Sequence, residues 1–295
     1  MCIRDSLISA VKHIEAMRKG EYERLSSGYP TLDMMTGGWD RGDYVIIAGR
    51  PAHGKSTFAL NIAYNVARSG KRVLFFSYEM PEEQLCLRLL AAVSSVPFNR
   101  LRSGMLSDEQ MERVTSACQE IEDLPLHIIY RPDLSLMQLK SLVKRTKVQH
   151  SNLELVVVDY IQLIPVEGRF ESRQQAIAEI SRQLKLLAGE AGIVMLAISQ
   201  LNRAVEVRQD KRPMLSDLRE SGCLEQDADM VAFVYRPGLY DEEEDQQLTE
   251  LIIRKQRNGP VGTVYFRLVP SQMRLVEHER NTKRGGVMFD IVEAL

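Results

Sequence analysis

The chain is predicted to adopt an α/β fold: a mostly parallel, twisted sheet flanked by helices, with antiparallel strands at the C-terminal end. Three observations predict it. The apolar, β-branched run Tyr44-Val45-Ile46-Ile47-Ala48 reads as a buried strand, and a helical pattern follows over 57–68 with Phe58, Leu60, Ile62, Ala63 and Val66. Strands and helices keep alternating over most of the chain, as a parallel sheet requires. Near the end, the turn Asn258-Gly259-Pro260 precedes runs at 262–269 and 273–276 that read as a hairpin or meander.

In chain order, 7–19 carries Leu7, Ile8, Val11, Ile14 and Met17 at spacings of three and four, so it is a short amphipathic helix ended by Gly20. Its apolar stripe packs either on its own domain or on a neighbouring subunit. Residues 24–42 are rich in turn formers and lead into the first strand. A second buried strand spans 72–77, and Pro81-Glu82-Glu83 opens a helix, with acids placed on the helix dipole. Helical patterns cover 84–94 and 108–121, a short strand 126–130, and an amphipathic helix 136–149. The basic face of that helix, Lys140, Lys144, Arg145 and Lys147, reads as solvated. Strands at 153–158 and 193–198 flank a helix over 173–191, and further strands follow at 230–235 and 248–255. The acidic run Asp241 to Asp245 reads as an exposed loop, and 280–295 as a tail with Lys283-Arg284-Gly285-Gly286 mobile.

The 295 residues, 44% hydrophobic and 26% charged, suffice for one large α/β domain with short appendages. The formal charge of -2 carries no overall basic signature, so nucleic-acid binding would need local clusters or a channel built by several subunits. Cys2, Cys86, Cys118 and Cys223 show no C-x-x-C spacing, which points to a reducing compartment, taken as the cytoplasm, and against a metal site of cysteines. No apolar run reaches the roughly eighteen residues of a membrane span. Residues 1–6 are too short and polar for a signal peptide, fit the following helix poorly, and read as a cloning remnant.

Gly49-Arg50-Pro51-Ala52-His53-Gly54-Lys55-Ser56 has the G-x-x-x-x-G-K-S spacing of a phosphate-binding loop, and strand before and helix after are the context it needs. Backbone N–H groups of such a loop curl around phosphate while the helix start adds partial positive charge. Lys55 would reach the β- and γ-phosphates and the Ser56 hydroxyl would sit on Mg²⁺, with Thr57 completing the nucleotide-binding set. Open sheets bind ligands beyond the carboxyl ends of their strands, and Lys55, Glu79, Asp159 and Gln200 sit at such ends. Asp159, delivered by Val156-Val157-Val158, is the candidate metal partner; the plainer reading is a helix cap. Glu79 could orient or deprotonate the attacking water if its strand neighbours the phosphate-loop strand, or it is a surface residue before a helix. Gln200 could sense the γ-phosphate, or occupy an exposed turn. Arg254, Lys255 and Arg257 gather before a turn. They could neutralise charge on a γ-phosphate from a neighbouring subunit, or form a basic hairpin tip.

Taken together these motifs resemble the C-terminal ATPase domain of DnaB-type replicative DNA helicases, within the RecA-like superfamily of P-loop NTPases. The resemblance rests on Gly49 to Ser56 with Thr57-Phe58-Ala59-Leu60-Asn61-Ile62-Ala63 after it; Phe76-Ser77-Tyr78-Glu79-Met80; Val157-Val158-Asp159-Tyr160-Ile161-Gln162-Leu163; and Ile180-Ser181-Arg182-Gln183-Leu184-Lys185. It continues with Ile198-Ser199-Gln200-Leu201-Asn202-Arg203, Asp217-Leu218-Arg219-Glu220-Ser221-Gly222 with Glu225-Gln226-Asp227-Ala228-Asp229, and Lys255-Gln256-Arg257-Asn258-Gly259-Pro260. In the family's order, these cover about 7–278.

The resemblance implies a RecA-like core over 21–279, a hexameric ring with ATP and Mg²⁺ between subunits, and single-stranded DNA in the central channel, travelled 5′–3′. It makes Glu79 the catalytic base, places Asp159 in the magnesium shell, and makes Lys255 and Arg257 contacts to the neighbour's γ-phosphate. It puts Arg219, Glu220 and Gly222 on the loop that holds the DNA backbone, and Arg169 and Arg173 where a second channel loop would be. A backbone-only grip suits sequence-independent movement. The helix over 7–19, within an N-terminal segment 1–20, matches the linker helix that docks on the adjacent subunit. The chain lacks the family's N-terminal helical domain, so primase and loader contacts are expected of the full-length protein. Ala52-His53 and Ser56 replace a more usual Ser-x-Gly-Lys-Thr pattern, with His53 as a loop residue. The function expected is therefore a DNA-unwinding, ATP-driven translocase. Another RecA-like repair or recombination ATPase fits Lys255-Gln256-Arg257-Asn258-Gly259 poorly, and an assembly module that binds ATP without unwinding leaves Glu79 and Arg257 without a use.

Overall fold

The computed structural model describes residues 3–20, 22–166, 168 and 170–278. The tail expected over 280–295 and Arg169 lie outside them. The elements are α1 (Ile3–Arg18), α2 (Pro30–Thr36), β1 (Tyr44–Gly49), α3 (Lys55–Arg68), β2 (Arg72–Ser77), α4 (Glu82–Ser94), α5 (Phe98–Ser103), α6 (Asp108–Glu122), β3 (Leu126–Tyr130) and α7 (Leu136–Gln149). They continue as β4 (Leu153–Asp159), α8 (Arg173–Ala191), β5 (Val194–Gln200), α9 (Gly222–Asp227), β6 (Met230–Tyr235), β7 (Leu248–Gln256), β8 (Gly262–Val269) and β9 (Arg274–Glu277).

The strands form one sheet in the order β3-β2-β4-β5-β1-β6-β7-β8-β9. Pairing is parallel from β3 to β6 and antiparallel from β6 to β9. The central strands are apolar at nearly every position because helices cover both faces. Val45 and Ile47 of β1 face a layer with Phe58 and Leu60 of α3 and Leu85 and Leu89 of α4. Tyr44 and Ile46 face the opposite layer, with Leu139 and Val143 of α7 and Ile180 and Leu184 of α8. Serine caps start α6, α7 and α8: Ser107 and Ser135 form reciprocal capping boxes with Gln110 and Gln138, and the Ser172 hydroxyl accepts the Gln175 N–H.

An aromatic cluster fastens the antiparallel strands to the helix after the phosphate loop. Phe58 stacks on Tyr29 at 5.7 Å and meets Phe266 edge-on at 5.2 Å, while Tyr29 meets Phe266 at 5.0 Å. Deeper on α3, Asn61 donates to the carbonyl of Met273 at 3.1 Å and accepts the N–H of Leu275 at 3.2 Å. The C-terminal strands are thereby part of the core around α3 rather than an appendage.

Several elements differ from expectation. α1 begins at Ile3, so 3–6 belong to the helix and do not fit it poorly. Its stripe does not pack on its own domain: Leu7 is 61% and Ile14 60% exposed. α2 lies inside a stretch that reads as turns, because a seven-residue helix between Pro30 and left-handed Gly37 is too short to show periodicity. The basic face of α7 is solvated as expected at Lys144 and Arg145, both exposed, although Lys144 pairs with Glu190 at 2.6 Å and Lys147 donates to the Leu153 carbonyl at 2.7 Å. No helix among the described residues is long and apolar enough to cross a membrane.

Candidate functional site

β1 ends at Gly49, where even a methyl group would come within 2.8 Å of the Val234 carbonyl on β6, so only glycine lets the two strands lie this close. The loop then turns through Ala52 (φ 67) and Gly54 (φ 93) in the left-handed region, and α3 starts at Lys55. A cavity of about 580 Å³ opens over this helix start. Pro51, Ala52, Gly54, Lys55, Ser56 and Thr57 line it from the loop, and Glu79, Asp159 and Gln200 from the ends of β2, β4 and β5. The condition placed on Glu79 is not met, since β4 and β5 stand between β2 and β1. Glu79 still faces the cavity, because it lies just beyond the β2 end, on the turn into α4.

Lys55 Nζ curls back over the loop to donate to the Arg50 carbonyl at 2.9 Å. Burial lowers its pKa to about 8, while Asp159 and Glu79 hold it up. Asp159 is fully buried, and burial raises its pKa to about 6; Ser56 favours the ionised form, while Glu79 opposes it. Neither carboxylate oxygen has a hydrogen-bond partner of ordinary geometry. A buried carboxylate with both oxygens free, beside a helix-start hydroxyl, is the donor set a hard divalent cation takes, so these residues fit Mg²⁺.

The side chains of Arg50 and His53 turn away from the cavity. Arg50 pairs with Glu206 at 2.8 Å and donates to the Leu201 carbonyl at 2.8 Å. His53 accepts the backbone N–H of Arg236 at 3.1 Å and stacks beside Tyr235. Their side chains shape the loop from behind and leave its backbone to face the cavity.

Other residues that lie outside the motifs also line the cavity. Arg88 of α4 and Arg236 after β6 each keep a buried Nε without a hydrogen-bond partner, which leaves donors for an anionic ligand. Arg88 is a lone cation in an otherwise apolar stretch of α4, a signal that could have been read. Leu268, Pro270 and Met273 form an apolar wall, with Met273 left-handed at φ 51 and Leu268 packed over Gly54.

Lys255 and Arg257 do not reach this cavity in their own chain. They flank the start of β6, since Val231 pairs with Lys255, and Met230 pairs with Val45 at the start of β1. The six residues of β1, about 20 Å, separate them from the phosphate loop. Lys255 donates to the Glu225 carbonyl, and Arg257 to the Gln226 carbonyl at 2.9 Å. Arg219 and Glu220 lie on a 3₁₀ helix over Leu215–Ser221, and Gly222 begins α9. Arg173 opens α8 and donates to the Gln162 carbonyl.

The family described as DnaB-like helicase C terminal domain matches residues 24–277. The replicative DNA helicase DnaC of Bacillus subtilis (strain 168) is 44% identical over 290 residues, covering 97% of this chain and 64% of its own length. The replicative DNA helicase DnaB of Geobacillus stearothermophilus is 44% identical over 283 residues, with 94% and 62% covered. The chain thus spans under two thirds of these relatives. A solved ATPase domain is 37% identical with a TM-score of 0.89, covering 94% of this chain and 99% of that one. A DnaB-like replicative helicase studied with its primase interactions is 37% identical with a TM-score of 0.86, covering 92% of this chain and 66% of that one.

Proposed function

This chain belongs to the DnaB-like helicase C-terminal domain family, and we propose that it serves as the ATP-hydrolysing motor of a replicative DNA helicase. The observation that carries the reading is one cavity, at the carboxyl ends of parallel strands, that gathers Lys55, Ser56, Glu79, Asp159 and Gln200. Lys55 and the loop N–H groups hold the phosphates, with Arg88 and Arg236 as further cations. Ser56 and Asp159 would hold Mg²⁺, which would supply neutralisation of the phosphate charge. Glu79 orients and deprotonates the attacking water, and Gln200 contacts the γ-phosphate.

Lys255 and Arg257 act on a second copy's nucleotide. Their place at the far end of β1 supports this, since one chain leaves its own site without them. A closed ring, taken as hexameric, makes every site complete, and single-stranded DNA occupies the channel. Arg219, Glu220 and Gly222 grip its backbone, and Arg169 and Arg173 add further backbone contacts, Arg173 from the first turn of α8. Movement is 5′–3′. Segment 1–20 is the linker helix and 21–279 the ATPase domain; the protein works in the cytoplasm, and primase and a loader bind the longer protein. The primase interaction of a similar DnaB-like helicase supports the last point.

The test is ATP hydrolysis with and without single-stranded DNA across a range of protein concentrations. Steep dependence on concentration with stimulation by DNA is expected. Hydrolysis proportional to concentration and indifferent to DNA would refute the helicase reading.

A further inference from the structure

The exits of β4 and β5 are joined by one side chain. The two strands pair only as far as Val158 with Ala197. Beyond that point the Gln162 carboxamide takes the place of a backbone partner. Its Nε2 donates to the Ser199 hydroxyl at 2.9 Å and to the Gln200 carbonyl at 3.3 Å, and its Oε1 accepts the Gln200 N–H at 3.3 Å. On the other side, the Leu201 N–H donates to the Gly49 carbonyl at 3.3 Å. Peptide groups of a strand point to alternate sides, so Gln162 serves the side that faces β4 and Gly49 the side that faces β1. A side chain thus extends the sheet by one rung, and both backbone groups of Gln200 are satisfied through it.

Gln200 and Tyr160 are shared walls. They line the cavity over the phosphate loop and a second one of about 400 Å³, which Gln162, Asn202 and Asp217 also line. Two segments leave from here. One runs from Gln162, whose carbonyl accepts the Arg173 guanidinium, toward α8. The other runs from Leu201 to Asn202, whose N–H donates to the Asp217 carbonyl at 3.3 Å. Asp217 in turn accepts the Met214 N–H at 2.8 Å and Arg208 at 2.9 Å, which sets the 3₁₀ helix over Leu215–Ser221.

We propose that Gln162 is a positioning residue that couples the nucleotide cavity to both candidate DNA loops at once. It clamps the backbone of Gln200 to the root of the segment before α8, so a shift of Gln200 moves the two loops together. This rests on the function proposed above. Only a side chain with a donor and an acceptor at this length meets both backbone groups. Methionine keeps the shape and meets neither; glutamate can accept from the N–H but repels the Gln200 carbonyl.

The experiment uses the full chain as wild type, Gln162→Met, Gln162→Glu and Lys55→Ala. Affinity for a labelled oligothymidylate is read by anisotropy with ATPγS and with ADP, beside steady-state hydrolysis and thermal melting. Both Gln162 variants are expected to shrink the ratio of the two DNA affinities about three- to tenfold while the KM for ATP and the melting temperature hold. A wild-type ratio in either folded variant, or an equal loss of DNA affinity in both nucleotide states, would overturn the proposal. A wild-type chain whose DNA affinity matches Lys55→Ala in both states would instead overturn the functional reading, and this proposal with it.

Discussion

His53 Nδ1 accepts the backbone N–H of Arg236 at 3.1 Å, so the neutral ring carries its proton on Nε2, which faces the Tyr240 hydroxyl at 3.2 Å. A side chain of the phosphate loop therefore anchors the loop to the segment after β6 and leaves the ligand space alone. Burial, reinforced by Lys55, Arg236 and Arg50, brings its pKa from the usual 6.5 down to about 4.

That depression has a sign. Above pH 6.5 the ring is neutral folded and unfolded, and it adds no pH dependence. Below it the unfolded chain binds a proton that the fold refuses, so stability falls until pH reaches about 4, by about 3 kcal/mol in all. His53→Asn, whose Oδ1 still accepts from Arg236, is expected to flatten this acid limb in urea unfolding and to keep most of the stability at pH 7. An unchanged limb would assign it to other groups.

The central strands were legible in the sequence because burial on both faces writes itself as continuous apolar runs such as Val156-Val157-Val158. Their order was not, since no local pattern says that β4 and β5 insert between β2 and β1. The same division holds in the site. Lys55, Ser56 and Asp159 follow from loop and strand-end logic, whereas Arg236 and Met273 come from distant turns whose convergence only the folded chain reveals. Arg50 and His53 lie within a motif that describes a backbone path and says nothing of where side chains point.

Asp159 places a carboxylate where burial disfavours a charge. Its raised pKa means the cost is absent near pH 4, grows as pH rises toward about 6, and is full above that. Asp159→Asn is expected to stabilise the nucleotide-free chain by about 3 kcal/mol at pH 7 and by little at pH 4, and to abolish Mg²⁺-dependent hydrolysis. Calorimetry at the two pH values checks it. A variant less stable at pH 7 would mean that Asp159 is already compensated by a partner.

The wall of Leu268, Pro270 and Met273 offers apolar surface and no hydrogen-bonding side-chain group except the weak thioether of Met273, which suits the flat face of a base. Met273→Ala is expected to weaken ATP binding about tenfold through lost apolar contact and to leave inorganic tripolyphosphate binding unchanged. Competition against a fluorescent nucleotide separates the two. Equal losses would point to a damaged phosphate loop.

The exposed stripe of α1 predicts self-association. Replacing Leu7 and Ile14 together with serine is expected to weaken assembly at least about tenfold in sedimentation while thermal stability stays within about 1 kcal/mol, because neither side chain packs in its own domain. Unaltered assembly would leave the stripe without this role.

Glu79 and Arg257 belong to opposite ends of the parallel strands, and that separation makes sharing testable. Glu79→Gln alone is expected to lower kcat at least about a hundredfold with ATP affinity held, because only the proton acceptor is lost. Arg257→Ala alone is expected to be comparably inactive, since an arginine finger acts on the transition state. If the two act on one nucleotide from different copies, an equal mixture of the variants contains interfaces where an intact Glu79 faces an intact Arg257. Random mixing makes that about one interface in four, so hydrolysis returns to a measurable share of wild type although each parent is dead. Independent sites within each chain can never recover by mixing, because every chain carries one lesion in its own site. A flat, inactive titration across all ratios, from variants shown to co-assemble, would place Arg257 outside the neighbour's site.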